Sequence, residues 1–370
     1  MNKKRPLQIV ISSGPTGGHF FPAISFAKGF KKTYSQAEVH ILLGRIPVFA
    51  KTLMSENDFQ SHFIEIPSFP KFFSFKMVFF LLKYPLAYIQ TFVYLWNLKP
   101  SLVVGFGSYA SVPSILCAAI LRIPTLLHEQ NFMAGRANRF LSCLTDRAAI
   151  SFPETRGIAF KSKIVLTGYP LREEFLNLIQ NDAVRQTKKT FKILVFGGSQ
   201  GARRLNQVFL EAMERLGAEE KKEFAVKHIV GSEDLNRIKL LYERFGVHAD
   251  VSAFSHHIAE DYQSADLIIS RSGAGTVFEL IATGRPAILV PYPHAHAHQK
   301  RNADFLSERH AAIIILEENL SSEVLANTIL DLRHHPAKRA ELAVHLKPLH
   351  KPNATQELVC LAWELICTKN

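Results

Sequence analysis

Acidic residues are absent from a long stretch of this 370-residue chain. No Asp or Glu lies between Glu65 and Glu129, and residues 1–168 hold 19 of the 44 basic residues but only 7 of the 32 acidic ones. The net charge of +12 therefore lies wholly in the first half. Because such a surface attracts anions, we expect the partner to be nucleic acid, an acidic lipid surface or a phosphorylated substrate.

Cysteine is scarce as well. The four cysteines, Cys117, Cys143, Cys360 and Cys367, share no CxxC spacing. This pattern argues against a disulfide framework and against a zinc site. We interpret all four as reduced core thiols of a cytosolic protein.

Long apolar runs are also missing. The apolar run near the N-terminus, Leu7–Ser12, is shorter than the roughly 7–15 residues of a signal peptide. The most apolar segment, 77–98, is interrupted by Lys83 and Pro85, and its uncharged part is shorter than the roughly 18 residues of a spanning helix. We therefore expect neither a signal peptide nor a transmembrane helix.

Two common nucleotide-binding motifs are absent. No loop has the full GxGxxG spacing, no acidic residue ends the second strand-like run, and GxxxxGK[ST] does not occur. Nicotinamide or flavin enzymes and P-loop hydrolases are therefore disfavoured. Hydrophobic residues make up 47% of the chain and charged residues 21%, which is typical of a globular protein.

Strand-like apolar runs alternate with helical stretches in two successive series. Continuous apolar runs are typical of parallel strands buried on both faces, so the pattern predicts two doubly wound α/β domains. We place the first domain at 1–168 and the second at 169–354, with an amphipathic closing helix, 355–370, that can return to the first domain. The runs are 7–12, 39–44, 101–107, 124–129 and 163–170, then 191–196, 224–231, 265–270 and 286–291.

Four glycine-rich loops follow predicted strands. In a doubly wound fold such loops line the crevice where ligands bind, and each helix that follows offers N–H groups to a phosphate. One such loop alone is more simply a tight turn, but four on two domains indicate a ligand-binding cleft. The loops are SGPTGGH (13–19), GFGSYAS (105–111), FGGSQGA (196–202) and RSGAGT (271–276).

Three polar segments have open interpretations. In RSGAGTVFE, the N–H groups of 273–276 can hold a diphosphate and Glu279 a ribose, or Thr276-x-x-Glu279 can form a capping box. HEQN (128–131) is either part of a site or a set of helix-capping groups. His294, His296 and His298 alternate, but because no Asp, Glu or Cys accompanies them we favour a surface or ligand-binding loop over a metal site.

The segment 70–85 interleaves basic and aromatic residues. Its aromatic rings can stack on nucleic-acid bases, insert at an anionic membrane interface or lie in a buried helix. The lack of acidic residues favours partial membrane contact. The residues of this patch are Lys71, Phe72, Phe75, Lys76, Phe79, Phe80 and Lys83.

Together these motifs resemble those of the MurG family of bacterial peptidoglycan glycosyltransferases, in glycosyltransferase family 28. The resemblance extends from about Leu7 to the last helix. It implies a GT-B fold, in which two Rossmann-like parallel-sheet domains face each other across a cleft. The motifs are GPTGGHFFPA, GFGSYAS, HEQN, GYPLR, FGGSQGARRLN, RSGAGTVFE and HQKRNA.

The activity that the resemblance implies is inverting transfer of N-acetylglucosamine (GlcNAc). The donor is UDP-GlcNAc and the acceptor is lipid I, the undecaprenyl-diphosphate-linked muramyl-pentapeptide, which becomes lipid II. No metal and no cofactor is implied. The implied location is peripheral, at the anionic cytoplasmic face of the bacterial inner membrane, with other cell-wall synthesis and division proteins as further partners.

The resemblance also assigns site residues. We hypothesise that His19 is the base that accepts the acceptor's proton, or positions the acceptor, because an imidazole can take a proton near neutral pH; Glu129 is the second candidate. The helix N-termini and Arg172 are expected to stabilise the departing diphosphate. Donor-binding residues are expected at Thr16, Gly17, Gly18, Asn131, Arg172, Ser199, Ser255, Ala274, Gly275, Thr276, Glu279 and Gln299, and acceptor-diphosphate residues at Gly14, Gly105, Gly107, Ser108 and Tyr109.

Some positions depart from the family pattern. Pro15 stiffens a turn that is often Gly-Thr, Ser108 stands where a second glycine is common, and HAHAHQ is unusually rich in histidine. Two alternatives remain within the same fold: a transferase for another UDP-sugar or lipid, or a UDP-GlcNAc epimerase. A nucleic-acid-binding protein is the alternative of another class, but it leaves the four glycine loops unexplained.

Overall fold

The computed structural model describes residues 6–44, 59–64, 76–178, 190–198, 202–293 and 298–369. The chain divides into two compact units, Met1–Arg172 with Asn353–Asn370, and Glu173–Pro352. The sequence predicts a boundary after residue 168 and a closing helix from 355, so the two divisions differ by a few residues at each end.

The first unit contains a seven-stranded sheet in the order β3-β2-β1-β4-β5-β6-β7, and all of its strand pairs are parallel. The strands are Gln8–Ser13 (β1), Glu38–Leu43 (β2), Gln60–Phe63 (β3), Leu102–Gly105 (β4), Thr125–Glu129 (β5), Arg147–Ile150 (β6) and Ile164–Leu166 (β7). Its helices are Gly17–Thr33 (α1), Lys76–Leu98 (α2), Ser111–Ile120 (α3) and Arg136–Leu141 (α4), with a 3-10 turn at Lys161–Lys163.

The second unit contains a six-stranded parallel sheet in the order β10-β9-β8-β11-β12-β13. Its strands are Phe191–Phe196 (β8), Phe224–Ile229 (β9), His248–Ser252 (β10), Leu267–Ser270 (β11), Ala287–Leu289 (β12) and Ile313–Ile314 (β13). Its helices are Glu173–Leu178 (α5), Arg203–Arg215 (α6), Ala218–Lys222 (α7), Leu235–Phe245 (α8), Ile258–Ser264 (α9), Ala274–Thr283 (α10), His298–Ser307 (α11), Ser322–His334 (α12) and Pro336–Leu346 (α13), with 3-10 turns at Glu317–Asn319 and Lys347–Leu349.

The central strands are buried on both faces, which explains their continuous apolar sequences. Every residue of β4, β5 and β11 is buried, as expected for parallel strands covered by helices on both sides. In each sheet the strand order reverses beside the first strand of the unit, between β1 and β4 and between β8 and β11. Loops at such a switch point line the ligand crevice of a doubly wound sheet.

The closing helix Ala354–Lys369 (α14) belongs to the core of the first unit. Leu358, Val359 and Ala362 pack among the buried residues around β1 and α1. The ring of Trp363 stacks on that of Tyr34 with centroids 4.4 Å apart. The first unit is therefore built from both ends of the chain.

Helix α2 has one buried face and one exposed face, and both are mostly apolar. Ala87, Thr91 and Leu95 are buried, whereas the opposite face is exposed to solvent. Among the described residues, no helix has the length and hydropathy needed to cross a membrane.

The cysteines are all free, but only one of them is a core thiol. Cys117 is buried, whereas Cys143, Cys360 and Cys367 are exposed. The interpretation of all four as core thiols is therefore wrong for these three, whose side chains are exposed.

Candidate functional site

The loops after β1 and β4 meet at the switch point of the first sheet. A Cβ atom on Gly14 would lie 2.5 Å from Cβ of Ser108, so the two loops are in contact. Gly107 has φ of +85° and Ser108 has φ of +68°, which is the left-handed conformation that favours glycine. Ser111 Oγ donates to the carbonyl oxygens of Ser12 (3.0 Å) and Gly107 (2.7 Å), which joins the loops.

The imidazole of His19 lies where these loops meet. A Cβ on Gly14 would be 3.3 Å from its Cδ2, and a Cβ on Gly107 would be 3.3 Å from its Cε1. Its Nδ1 lies 2.9 Å from the carbonyl oxygen of Phe106 and 3.1 Å from Oε1 of Gln130. Since both partners are acceptors, Nδ1 carries a proton and Nε2 of the neutral ring has the lone pair.

Helix α1 begins directly at this site. Thr16 is its N-cap residue but makes no side-chain cap, and no acidic residue lies in the first turn. Gly17 is buried and Gly18 is exposed. The first N–H groups of a helix lack intrahelical partners, so this 17-residue helix presents donors to an anion.

The remaining predicted acceptor residues are divided between the loops and the core. Tyr109 is half-buried in the loop after β4. Gly105 is buried at the end of β4, where a Cβ would lie 3.0 Å from Cγ1 of Ile115 in α3. The absence of a side chain at Gly105 therefore allows close packing of α3 on the sheet.

Glu129 orders the loop that follows β5. The residue is 1% exposed. Its carboxylate accepts hydrogen bonds from the backbone N–H of Asn131 (2.9 Å), the backbone N–H of Gly135 (3.0 Å), and Nδ2 of Asn138 (2.8 Å) and of Asn131 (3.2 Å). The HEQN segment thus has an internal structural function, in which the carboxylate holds Asn131 and the start of α4.

Arg172 is the last residue of the first unit, although the sequence places it in the second domain. The residue is half-buried. Its guanidinium carbon lies 4.7 Å from the ring centroid of Phe21 in α1, a cation–π arrangement. The GYPLR segment is therefore attached to the helix that carries His19.

In the second unit, the RSGAG loop ends at the N-terminus of α10. Gly273 is the N-cap residue, α10 begins at Ala274, and its first turn contains no acidic residue. Glu279 accepts a hydrogen bond from the hydroxyl of Tyr262 at 2.9 Å. Because Thr276 lies inside the helix, the alternative of a Thr276–Glu279 capping box is wrong. The N–H groups of Ala274, Gly275 and Thr276 belong to the first turn, where donors lack helical partners.

Gln299, in the first turn of α11, is attached to this loop. Ser272 Oγ donates to the carbonyl oxygen of Gln299 at 2.8 Å, and Nδ2 of Asn302 donates to the carbonyl oxygen of Ser272 at 3.2 Å. The Oε1 atom of Gln299 accepts from the backbone N–H of Tyr292 at 2.9 Å. The structure therefore brings Gln299 and the N-terminal turn of α10 together.

Ser255 lies in the loop after β10. Its hydroxyl donates to Oδ2 of Asp261 at 2.5 Å and accepts from the backbone N–H of His257 at 3.2 Å. The hydroxyl thus holds the loop against the first turn of α9. Binding of a uracil by backbone groups of this loop stays a prediction.

Arg271 is a site-proximal residue that the sequence does not single out. Its side chain is 7% exposed and lies 2.5 Å from the carboxylate of Glu317. It also donates to the carbonyl oxygen of Val290 at 3.1 Å and lies 5.4 Å from the ring centroid of Tyr292. Arg271 therefore connects the loops after β11 and β12. The one available signal is a charged residue directly after a buried strand.

Several predicted residues lie outside the described part of the chain. These are Ser199, His294, His296, Lys71, Phe72 and Phe75. Lys76, Phe79 and Phe80 fall within α2, Lys83 in that helix is exposed, and His298 begins α11. Within the described ranges, no group of three or more His, Cys, Asp or Glu residues is arranged to hold a metal ion.

Comparison with known proteins decides the family. Residues 9–150 match the glycosyltransferase family 28 N-terminal domain, and residues 192–358 match the glycosyltransferase family 28 C-terminal domain. The chain is 36% identical over 355 residues to the UDP-N-acetylglucosamine--N-acetylmuramyl-(pentapeptide) pyrophosphoryl-undecaprenol N-acetylglucosamine transferase of Geobacter metallireducens, which covers 95% of this chain and 97% of the relative. The chain belongs to glycosyltransferase family 28.

Other relatives match over at least 93% of their length. A relative of the same name from Myxococcus xanthus is 32% identical, over 97% of this chain and 93% of its own. The crystal structure of Acinetobacter baumannii MurG matches with a TM-score of 0.75 and 30% identity, over 97% of this chain and 100% of that one. The expected fold is therefore confirmed. A UDP-GlcNAc 2-epimerase from Neisseria meningitidis shares the fold alone, with a TM-score of 0.69 at 13% identity.

The two family 28 domain matches cover most of the predicted site. The loops around Gly14, Gly107 and Glu129 lie in the N-terminal match, and Glu279 and Gln299 lie in the C-terminal match. Arg172 falls between the two matches.

Proposed function

We propose that this chain transfers GlcNAc from UDP-GlcNAc to lipid I, with inversion at the anomeric carbon, to form lipid II. Support comes from membership of family 28 and from similarity, over nearly their whole length, to relatives whose name states this transfer. The observation that carries the proposal is the arrangement of His19, whose Nδ1 is held by two acceptor oxygens at the switch point. This arrangement leaves Nε2 as the basic nitrogen of the ring.

His19 is the general base in this proposal. Nε2 takes the proton of the acceptor hydroxyl, whose oxygen attacks the anomeric carbon as the bond to UDP breaks. The imidazolium that forms keeps its Nδ1–H bonded to the carbonyl oxygen of Phe106 and to Gln130. Charge-assisted hydrogen bonds of this kind are stronger than neutral ones, so they stabilise the charged ring.

Glu129 has a different part in the proposed reaction. Its carboxylate already accepts four hydrogen bonds, three from the loop after β5 and one from Asn138 in α4. A general base must instead be within hydrogen-bond reach of the proton that it removes. We assign Glu129 the positioning of Asn131, which is the predicted contact to the donor sugar.

The donor is proposed to bind the second unit through α10 and its neighbours. The N–H groups of Ala274, Gly275 and Thr276 would hold the UDP diphosphate, and the partial positive charge of the helix N-terminus would stabilise it as it leaves. Glu279, oriented by Tyr262, would accept hydrogen bonds from the ribose hydroxyls. Arg172 and Ser199 stay predicted contacts of the diphosphate.

Helix α2 supports the proposed membrane contact. Leu86, Ile89, Val93 and Trp96 are 50%, 59%, 50% and 58% exposed, and their spacing places them on one face of the helix. Exposed lysines stand at positions 83 and 99, on either side of the stripe. An apolar helix face with adjacent basic residues is suited to an anionic lipid surface. We propose that this face meets the cytoplasmic leaflet that carries lipid I.

Labelled UDP-GlcNAc, incubated with the purified protein with and without lipid I, tests the proposed function. We expect label in an extractable lipid product only when lipid I is present. An epimerase would convert the UDP-sugar without the acceptor. Transfer to another acceptor, with none to lipid I, would identify a different GT-B transferase.

A further inference from the structure

His128, at the end of β5, is a buried histidine with no part in the proposed chemistry. Its Nε2 lies 3.1 Å from the carbonyl oxygen of Gly168, in the loop after β7. A carbonyl oxygen can only accept, so Nε2 carries the proton. Burial lowers the pKa of His128 to about 4. At neutral pH the ring is therefore uncharged, and its Nδ1 is an acceptor.

The orientation of the Gln130 amide follows from this. Its Nε2 lies 3.1 Å from three acceptors: Nδ1 of His128, the carbonyl oxygen of His128 and the carbonyl oxygen of Phe106. The opposite amide orientation would place an oxygen against all three. Gln130 is 1% exposed, so bulk solvent does not satisfy that alternative. Its Oε1 consequently faces Nδ1 of His19 at 3.1 Å.

These contacts form one directed chain of hydrogen bonds. The Nε2–H of His128 donates to Gly168, the amide N–H of Gln130 donates to Nδ1 of His128, and the Nδ1–H of His19 donates to Oε1 of Gln130. Each link has only one consistent donor assignment. Glu129, between His128 and Gln130 in the sequence, accepts hydrogen bonds from different donors, which belong to Asn131, Gly135 and Asn138.

We propose that Gln130 and His128 are positioning residues that hold His19 as the Nδ1–H tautomer and stabilise its imidazolium. The inference rests on the proposed function and goes beyond it, because base catalysis by His19 alone does not require them. Phe106 provides a second acceptor for the same proton, but its carbonyl oxygen is shared with the Gln130 amide. Gln130 therefore accepts a hydrogen bond from His19 directly. It also donates to the carbonyl oxygen of Phe106, which is the other acceptor of the same His19 proton.

The tautomers can be observed without any activity measurement. In a long-range 1H–15N spectrum of histidine-labelled native protein, we expect His19 to be protonated at Nδ1 and His128 at Nε2. His19→Gln and His128→Phe variants assign the two rings among the 16 histidines. A His19 ring protonated at Nε2, or one that exchanges between both forms, would overturn the proposal.

Gln130→Met tests the same link in the reaction, because methionine has a similar length but cannot hydrogen-bond in this way. We expect kcat to fall about tenfold, as for loss of one hydrogen bond to a charged group, with KM for UDP-GlcNAc unchanged. The acidic limb of the pH–rate profile should move to lower pH, because the imidazolium loses an acceptor. His128→Phe should cause a smaller change in the same direction.

His228→Phe is the matched control. His228, in β9 of the second unit, is as fully buried as His128 and is hydrogen-bonded to Tyr242 and Asn206. The His228→Phe variant therefore reports the effect of a general loss of stability. If Gln130→Met lowers activity no more than this control and leaves the acidic limb in place, the inference is wrong. If the native protein transfers no sugar, the proposed function fails, while the tautomer spectrum still decides the inference. If the Gln130 and His128 variants do not fold, the His19 ring, assigned by His19→Gln, still decides the inference.

Discussion

Ser108 is the residue at which the backbone and side-chain requirements of the site conflict. It has φ of +68° without being glycine, and its Cβ occupies the space beside Gly14. The sequence identifies Ser108 as a departure from the family pattern but does not show what it contacts. That contact depends on two loops about 95 residues apart, which only the parallel arrangement of β1 and β4 brings together.

Gly14→Ala should therefore be destabilising in a way that depends on Ser108. The new Cβ would lie 2.5 Å from Cβ of Ser108, so we expect a loss of about 1–3 kcal/mol in the free energy of unfolding. Ser108→Gly removes the obstructing atom and should recover much of that loss in the double variant. Denaturant titration of the four proteins in a double-mutant cycle measures the coupling. Additive effects would show that the two loops are not in this contact.

His228 predicts how the second unit responds to acid. Burial lowers its pKa from 6.5 to about 3, so between these values the unfolded chain binds a proton that the folded unit does not. The free energy of unfolding should therefore fall as the pH falls through this window, by about 1.6 kcal/mol between pH 6.5 and pH 5 from this group.

Urea titrations at several pH values check the acid response. His228→Phe should reduce the slope of stability against pH, whereas the same change at the exposed His248 of β10 should leave it unchanged. Equal slopes in the native and His228→Phe proteins would contradict the expectation.

At the scale of elements, most interior strands are predictable from the sequence, whereas three of the four edge strands are not. All nine predicted runs form strands, since a strand buried on both faces needs a continuous apolar sequence. The strands that the sequence does not predict are β3, β6, β10 and β13, and three of these lie at sheet edges. β10 has the sequence HADVS and is mostly half-buried or exposed, so its pairing depends on the neighbouring strand rather than on its own pattern.

The closing helix gives a prediction about which unit it stabilises. Leu358 is fully buried in the core of the first unit, so Leu358→Ala should lower the stability of that unit by about 2–5 kcal/mol. Both tryptophans, Trp96 and Trp363, lie in the first unit, and their fluorescence reports its unfolding. Leu325→Ala, an equally buried change in the second unit, should leave the tryptophan transition in place. A shift of that transition by Leu325→Ala alone would contradict the division.

At the scale of the whole molecule, the charge excess of the first half predicts salt-dependent lipid binding. We expect the protein to sediment with anionic vesicles and to be released by salt. Charge reversal at Lys71, Lys76 and Lys83 should weaken the binding, and so should Ile89→Glu in the exposed stripe of α2. Leu240→Glu is the control, because Leu240 is 66% exposed on α8 of the second unit. Equal binding by the Ile89 and Leu240 variants would exclude the stripe.

The motifs also explain which parts of the site can be read from the sequence. Glycine loops after apolar runs indicate where the backbone approaches a ligand, so the neighbourhood of His19 is predictable. The hydrogen bonds that occupy Glu129 and that orient His19 are not, because they join residues from β5, α4 and the loops after β4 and β7. The roles of these side chains can therefore be assigned only from the folded structure, whereas the loops in which they lie can be predicted from the sequence.

The most direct test of the account is the single-turnover rate of GlcNAc transfer to lipid I by His19→Ala, with saturating UDP-GlcNAc. Loss of a general base predicts a rate about 10²–10⁴-fold below that of the native protein, with UDP-GlcNAc binding unchanged by calorimetry. A rate equal to that of the native protein would contradict the account.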